Sequence, residues 1–178
     1  ARQASTAKTL GEPLQLIFAG RLEKEKGVVR CLRILRQLQN QGISCRLDLI
    51  GDGPERRGFE SVAQEWGLKK NIHFHGWLPA PELGRYFAAA HFILHPSKKS
   101  EGWPKVLSEA MARGVVVLAS DISSIPQILS QTETGRSFPA ENIEAFVATI
   151  QDYIQNPEAW KRASAAGLRA ASLFTYET

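Results

Sequence analysis

The chain has 178 residues, of which 43% are hydrophobic, so it can bury one sizeable core of the usual single-domain size. Its 22 lysines and arginines against 18 aspartates and glutamates give a formal charge of +4. This small excess lacks the dense basic stripe of nucleic-acid-binding proteins, so we expect a small anionic ligand and no nucleic-acid partner.

Strand-like and helix-like patterns alternate along the chain. A nearly continuous apolar run at 14–20 predicts a strand buried on both faces. Apolar residues at helical spacing through 27–42 predict a helix that turns Arg30, Arg33 and Arg36 to water. Further strands are predicted at 45–51, 71–76, 91–96, 115–120 and 134–139, with helices at 54–67, 81–90, 104–114 and 123–130 and two more over 141–172. This order predicts an α/β fold, a Rossmann-like parallel sheet of about six strands with helices on both faces.

The ends and the cysteines bear on domain organisation. Residues 1–12 are polar and predict a linker, and residues 13–178 form the one predicted domain. The chain opens at Ala1 and its single methionine is Met111, which indicates a piece of a longer polypeptide. Cys31 and Cys45 have no CxxC or metal-ligand spacing, so we expect two buried, reduced thiols in a soluble cytoplasmic protein.

The segments after the strands gather at one edge of a parallel sheet, where open α/β sheets bind ligands. Arg21, Lys24 and Lys26 precede one predicted helix, and Lys105 lies in the first turn of another. Cations there oppose the helix macrodipole by about 0.3 to 1 kcal/mol each. A phosphate between these cations and the free backbone N–H groups would remove the conflict, and a solvated charged loop is the alternative.

Two glutamates, Glu101 and Glu109, lie eight positions apart in SEGWPKVLSEAMARG. On a helix this offset is roughly 12 Å along the axis. Carboxyl pairs of glycosidases are only about 5 to 9.5 Å apart, so an acid and base acting on one bond is disfavoured. Carboxylates this far apart, with cations between them, suit a ligand hydroxylated at both ends and phosphorylated in the middle, such as a nucleotide sugar.

In this order, the motifs resemble the C-terminal, donor-binding domain of GT-B glycosyltransferases of the retaining group 1 family. They read GRLEKEKG, LIGDGPERRGFESVAQEWGL, NIHFHGWLP, PSKKSEGWPKVLSEAMARGVVVLAS and TGRSF. The resemblance implies that Arg21 and Lys26 bind the donor diphosphate. It also implies that Glu101 holds the sugar hydroxyls and Glu109 the ribose, with retention of configuration and no cofactor or essential metal. The acceptor-binding N-terminal domain would be absent from this chain.

The resemblance assigns the site residue by residue. The implied catalytic residues are Arg21, Lys26 and Glu101. The implied donor-binding residues are Gly20, Gly76, Trp77, Leu78, Gly102, Trp103, Lys105, Val106 and Glu109. Trp103 either covers the sugar or packs beneath its loop. Pro104 stands where many relatives have glycine and removes one N–H that could face the ligand.

The sequence therefore predicts the donor half of a nucleotide-sugar-dependent glycosyltransferase. A non-catalytic sugar-nucleotide-binding or interaction module is the alternative. The resemblance further implies a sugar or glycolipid acceptor and a cytoplasmic protein associated peripherally with the inner face of the membrane. The segment GDGP alone is typical of a turn. His73 and His75 share a strand face, where packing or a hydrogen bond to a neighbour is favoured over a shared metal.

Overall fold

A computed structural model of the protein describes residues 8–174. The strands are β1 (Leu14–Ala19), β2 (Cys45–Ile50), β3 (Ile72–Gly76), β4 (Phe92–His95), β5 (Val116–Ser120) and β6 (Gly135–Phe138). The helices are α1 (Val28–Asn40), α2 (Arg56–Glu65), α3 (Ala80–Ala89), α4 (Lys105–Met111), α5 (Ile125–Thr132), α6 (Ile143–Gln155) and α7 (Pro157–Ala170). The predicted order of strands and helices is confirmed, with α4 beginning one residue after the predicted start.

All the paired strands are parallel, and their order in the sheet is β3-β2-β1-β4-β5-β6. The predicted α/β sheet of six strands is therefore confirmed. The order reverses between β1 and β4, so the chain leaves these two neighbouring strands in opposite directions. Such a switch point opens a crevice beyond the carboxyl ends of the strands.

The core has two layers, one on each face of the sheet. Leu16 and Phe18 of β1 belong to the layer formed with α1, α2 and α6, whereas Ile17 and Ala19 belong to the layer formed with α3, α4 and α5. The continuous apolar run of β1 is thus buried on both faces, as predicted.

Cys31 and Cys45 are both buried and free, as predicted. Burial raises the pKa of the Cys45 thiol to about 12. In the described part of the chain, no helix combines the length and the hydropathy that a transmembrane segment requires.

The polar face of α1 differs from the prediction at Arg30. Arg33 and Arg36 are exposed, but the Arg30 side chain is only 12% exposed. Its guanidinium donates to the Pro96 carbonyl at 3.1 Å and to the Glu141 carboxylate at 2.6 Å. Arg30 therefore links α1 to the segment that follows β4. The prediction was wrong because that segment covers the end of α1 and shields Arg30 from solvent.

Residues 8–12, assigned to the linker by the sequence, contact the domain. The Lys8 ammonium donates to the carbonyls of Phe87, Ala90 and Arg113 at 2.6 to 3.0 Å, and burial lowers its pKa to about 8. His91 Nε2 lies 3.0 Å from the Thr9 carbonyl. This stretch therefore covers the end of the sheet opposite to the crevice, and the rest of the predicted linker lies outside the described residues.

Candidate functional site

Two adjoining clefts lie at the carboxyl edge of the sheet, where β1 and β4 diverge. The larger cleft has a volume of about 510 Å³ and is lined by Ala19, Gly20, Arg21, Ile50, Gly51, Asp52, Gly53, Trp77, Leu78, Leu83 and Val106. The smaller cleft has a volume of about 210 Å³ and is lined by Phe18, Ala19, Gly20, Lys26, His95, Glu101, Pro104, Lys105 and Val106. Ala19, Gly20 and Val106 line both, so the two clefts form one crevice.

The loop after β1 is positioned by a close backbone contact at Gly27. This glycine has φ +88° between a 3-10 turn, Lys24–Lys26, and α1. A Cβ atom there would lie 2.1 Å from the Pro96 carbonyl oxygen. The Lys98 N–H also donates to the Glu25 carbonyl at 2.9 Å. These contacts hold the loop after β1 directly against the loop after β4.

Lys26 and Glu101 meet where these two loops touch. Lys26 is only 9% exposed, and its ammonium forms an ion pair with the Glu101 carboxylate in the smaller cleft. The Glu101 side chain is 30% exposed. Two of the three predicted catalytic residues are therefore in direct contact, although 75 positions separate them. A buried cation facing an accessible carboxylate can bind an anion and a hydroxyl group side by side.

Two further predicted cations stand at the mouth of the crevice. The Arg21 side chain is 67% exposed and donates to Glu23 at 2.5 Å, which lowers the pKa of the Glu23 carboxyl. The Lys105 side chain is 90% exposed, with its ammonium 3.9 Å from the Glu109 carboxylate on α4. Arg21 lines the larger cleft and Lys105 the smaller, whereas Glu109 lines neither. These exposed cations are free to reorient toward a ligand.

The far wall of the larger cleft comes from the loops after β2 and β3. Trp77 is 74% exposed and lines this cleft together with Leu78. Gly76 has φ +73° and accepts a hydrogen bond from the Gly51 N–H at 2.8 Å, so it fixes the turn without lining the cleft. The GDGP segment also forms part of this wall, a role that its turn-like sequence did not indicate. Its position after a buried strand was the available signal.

Trp103 and Gly102 belong to the loop that carries Glu101. The Trp103 indole donates to Ser108 at 2.7 Å and stacks on Phe174, with 5.4 Å between ring centroids. Trp103 therefore packs beneath its loop and lines neither cleft. Gly102 has φ +69°, which gives the loop its left-handed turn before α4.

His95 is a site residue that the sequence analysis did not identify. It ends β4, is only 4% exposed, and lines the smaller cleft with Lys26 and Glu101. Its Nε2 is the sole buried side-chain nitrogen or oxygen between residues 8 and 174 that has no hydrogen-bond partner. Burial, with a smaller contribution from Lys26, lowers the His95 pKa from 6.5 to about 4. The signal in the sequence was a histidine that closes an apolar strand at the ligand-binding edge.

Lowering the pH from 7 to 5 is expected to reduce the free energy of unfolding by about 2 kcal/mol more in the native protein than in a His95→Leu variant. The folded-state pKa of His95 is lowered, so below pH 6.5 the unfolded chain binds a proton that the folded protein excludes. Stability is therefore lost as the pH falls from 6.5 toward 4. Urea unfolding of both proteins at the two pH values measures this difference, and equal losses would contradict it. His91, whose pKa is also lowered by burial, is present in both proteins and cancels in the comparison.

The two histidines of β3 have ordinary partners. His75 Nε2 lies 2.6 Å from Asp48, and His73 Nε2 lies 2.7 Å from an Arg46 guanidinium nitrogen. The predicted hydrogen bonds to neighbours are confirmed. Within residues 8–174, no group of three or more His, Cys, Asp or Glu side chains is placed to hold a metal ion.

Comparison with known proteins identifies the family. The model of the family described as glycosyl transferases group 1 matches residues 3–169. The chain belongs to this family. The chain is similar to the amylovoran biosynthesis glycosyltransferase AmsK of Erwinia amylovora, with 29% identity over 146 residues. This match covers 79% of the chain but 36% of AmsK, so the chain spans less than half the length of this relative.

Solved structures show that the chain matches the C-terminal half of GT-B group 1 glycosyltransferases. The C-terminal domain of the group 1 protein LpcC from Francisella tularensis matches with a TM-score of 0.79 at 19% identity, over 93% of this chain and 87% of that domain. Anabaena Alr3699/HepE, solved with UDP-glucose, matches with a TM-score of 0.80 at 20% identity, over 91% of this chain and 44% of that chain. Both likenesses confirm the predicted fold.

Proposed function

We propose that this chain binds a nucleoside-diphosphate sugar across the two clefts, as the donor half of a retaining glycosyltransferase. The contact between Lys26 and Glu101 carries the proposal. It puts a cation suited to phosphate beside a carboxylate suited to sugar hydroxyls, in the cleft that adjoins the larger one. The UDP-glucose complex of Alr3699/HepE, which has the same fold, supports a donor of this class.

In the proposed reaction, an acceptor hydroxyl oxygen bonds to the anomeric carbon of the sugar as the bond from that carbon to the diphosphate oxygen breaks. Negative charge grows on the departing diphosphate oxygen, and the diphosphate takes up the proton of the hydroxyl. Lys26 binds the phosphate oxygens in place of Glu101, which frees the Glu101 carboxylate to accept hydrogen bonds from sugar hydroxyls. Arg21 turns from Glu23 toward the same charge. Electrostatic stabilisation of the charge that develops on the leaving group is usually the largest single contribution to catalysis. Retention of configuration and independence from an essential metal are proposed from the family resemblance.

The nucleoside is proposed to occupy the larger cleft. Trp77 and Leu78 line its far wall, where backbone groups of the turn can recognise the base. Glu109 is proposed to bind the ribose hydroxyls, because it lies on α4 outside the smaller cleft and its side chain is 42% exposed. The remaining predicted contacts, from Gly20, Gly76, Gly102, Lys105 and Val106, stay predictions, whereas Trp103 packs beneath its loop.

The acceptor is proposed to be a sugar or glycolipid held by an N-terminal domain, which would close over the donor and exclude water. AmsK supports this, since its name places it in amylovoran biosynthesis and it is more than twice as long as the matched region. We propose the same polysaccharide class for this chain, acting at the inner face of the membrane.

Replacing Arg21 with alanine or Glu109 with glutamine is expected to weaken binding of the preferred nucleotide roughly tenfold, through loss of a charge-assisted hydrogen bond. Calorimetric titration with UDP, GDP, ADP and CDP identifies that nucleotide and measures the loss. Glu65→Gln is the control, because Glu65 is an exposed residue of α2 outside both clefts. Failure of all four nucleotides to bind, or full affinity in both site variants, would overturn the proposal.

A further inference from the structure

His95, the last residue of β4, lines the smaller cleft and carries an unpaired polar atom. His95 is buried, with only 4% of its surface exposed, and its Nε2 has no hydrogen-bond partner among the described residues. The nearby buried hydroxyl of Ser120, by contrast, has partners, since it donates to the His95 and Ser97 carbonyls. A buried nitrogen without a partner costs free energy, so a residue that only supported the fold would be replaced by an apolar side chain without loss.

The neighbours of His95 define what could pair with it. Lys26 and Glu101 line the same cleft, and both contribute to the electrostatic environment of the imidazole. Pro104 and Val106 also line this cleft and offer no polar side-chain atom. None of the described side chains pairs with His95 Nε2, so a ligand in the cleft can supply the missing partner.

The chemistry of a neutral imidazole selects the partner. Burial and the Lys26 ammonium both lower the His95 pKa, so the ring is uncharged at neutral pH, with one N–H donor and one acceptor nitrogen. A hydroxyl group also donates and accepts, whereas a phosphate oxygen only accepts and would favour the protonated ring. Glu101, in the same cleft, accepts hydrogen bonds only, so together the two side chains can hold adjacent hydroxyls.

We propose that His95 hydrogen-bonds a hydroxyl group of the transferred sugar, beside Glu101, and so contributes to recognition of the donor sugar rather than of its diphosphate. This inference rests on the proposed function of the crevice. It adds a contact supplied by a strand residue rather than by the loops. A strand residue is held more rigidly than a loop residue, which suits selection among sugars that differ in one hydroxyl.

The test compares each nucleotide sugar with its own nucleotide. Binding of UDP-glucose, GDP-mannose, ADP-glucose and CDP-glucose, and of the four parent nucleotides, to the native chain is measured by calorimetry. The pair that binds is used with His95→Leu and His95→Gln. His95→Leu is expected to weaken nucleotide-sugar binding roughly three- to tenfold and to leave nucleotide binding unchanged. His95→Gln, whose amide can donate and accept, is expected to recover part of the loss. The melting temperature of ligand-free His95→Leu at pH 7 is expected to equal or exceed that of the native chain.

Other outcomes overturn the inference. An equal loss for nucleotide and nucleotide sugar would assign His95 to the diphosphate, and no loss for either would show that the donor does not touch it. If His95→Leu does not fold, the ring nitrogens of His95 in the native chain are followed by NMR. Their shifts should then change with the nucleotide sugar and not with the nucleotide, and the absence of that difference would reject the contact. Nucleotide binding that is weakened by Glu109→Gln, together with nucleotide-sugar binding that His95→Leu does not weaken, would leave the proposed function standing without this inference. Absence of all binding would overturn both.

Discussion

Replacing Gly27 with alanine is expected to destabilise the protein by about 4 kcal/mol, the sum of left-handed backbone strain and overpacking. The φ angle of Gly27 is +88°, and a Cβ atom would lie 2.1 Å from the oxygen and 2.8 Å from the carbon of the Pro96 carbonyl. Both are backbone atoms, so no side-chain rotation relieves the clash. The loops after β1 and β4 would have to separate, which would also pull Lys26 away from Glu101 and abolish nucleotide binding.

Gly42→Ala provides a matched control for this prediction. Its φ angle is +78°, but a Cβ atom there would have nothing within 4 Å. The control therefore includes the backbone strain without the clash, and its expected loss is about 1 kcal/mol. Urea unfolding of both variants, followed by circular dichroism, measures the difference. Similar midpoints for the two variants would show that the contact with Pro96 is not the source of the effect.

Replacing Lys26 with methionine is expected to weaken nucleotide binding at least about 100-fold, because it removes the buried cation proposed to hold the diphosphate. Methionine has a similar length and fits an apolar surrounding, so the core contacts of the Lys26 stem are preserved. In the variant, Glu101 loses its ion-pair partner and faces the approaching phosphates. Repulsion between these negative charges adds to the loss.

Lys24→Met is the control for this second prediction. Lys24 lies in the same 3-10 turn and is exposed, so the substitution removes the same formal charge without touching either cleft. Calorimetric titration of both variants with the preferred nucleotide separates local contact from general electrostatic attraction. Comparable losses for Lys24→Met and Lys26→Met would contradict the proposed role of Lys26. Circular dichroism of each variant verifies the fold before titration.

The strands, the helices and the edge that carries the site were all predictable from local patterns. Apolar runs such as 14–20 and the helical spacing through 27–42 follow directly from the periodicity of each element. In a parallel sheet, the segments after the strands share one edge, so Arg21, Lys26 and Glu101 were expected to approach one another. Each motif alone was ambiguous, and the resemblance to group 1 glycosyltransferases depended on the order of the motifs along the chain.

The direct contact of Lys26 with Glu101 could not be predicted in the same way. It depends on β1 and β4 being neighbours in the sheet, and no local pattern encodes strand order. His95 was overlooked for a related reason. The sequence alone does not distinguish a histidine that lines a cleft from one that packs in the core at the end of an apolar strand. Arg30 was wrongly expected to face water, because helical spacing shows which face is polar but not what covers it.

The pairing of Lys26 with Glu101 also means that the lysine of the crevice has a counter-ion within the protein. Any incoming anion has to displace a tethered carboxylate before it reaches the lysine. Under the proposed function, inorganic phosphate would compete for the cation but give the released glutamate nothing to bind, whereas a sugar-bearing diphosphate would satisfy both groups together. Free phosphates in the cell would therefore be poor inhibitors, and selectivity would arise from the displacement itself.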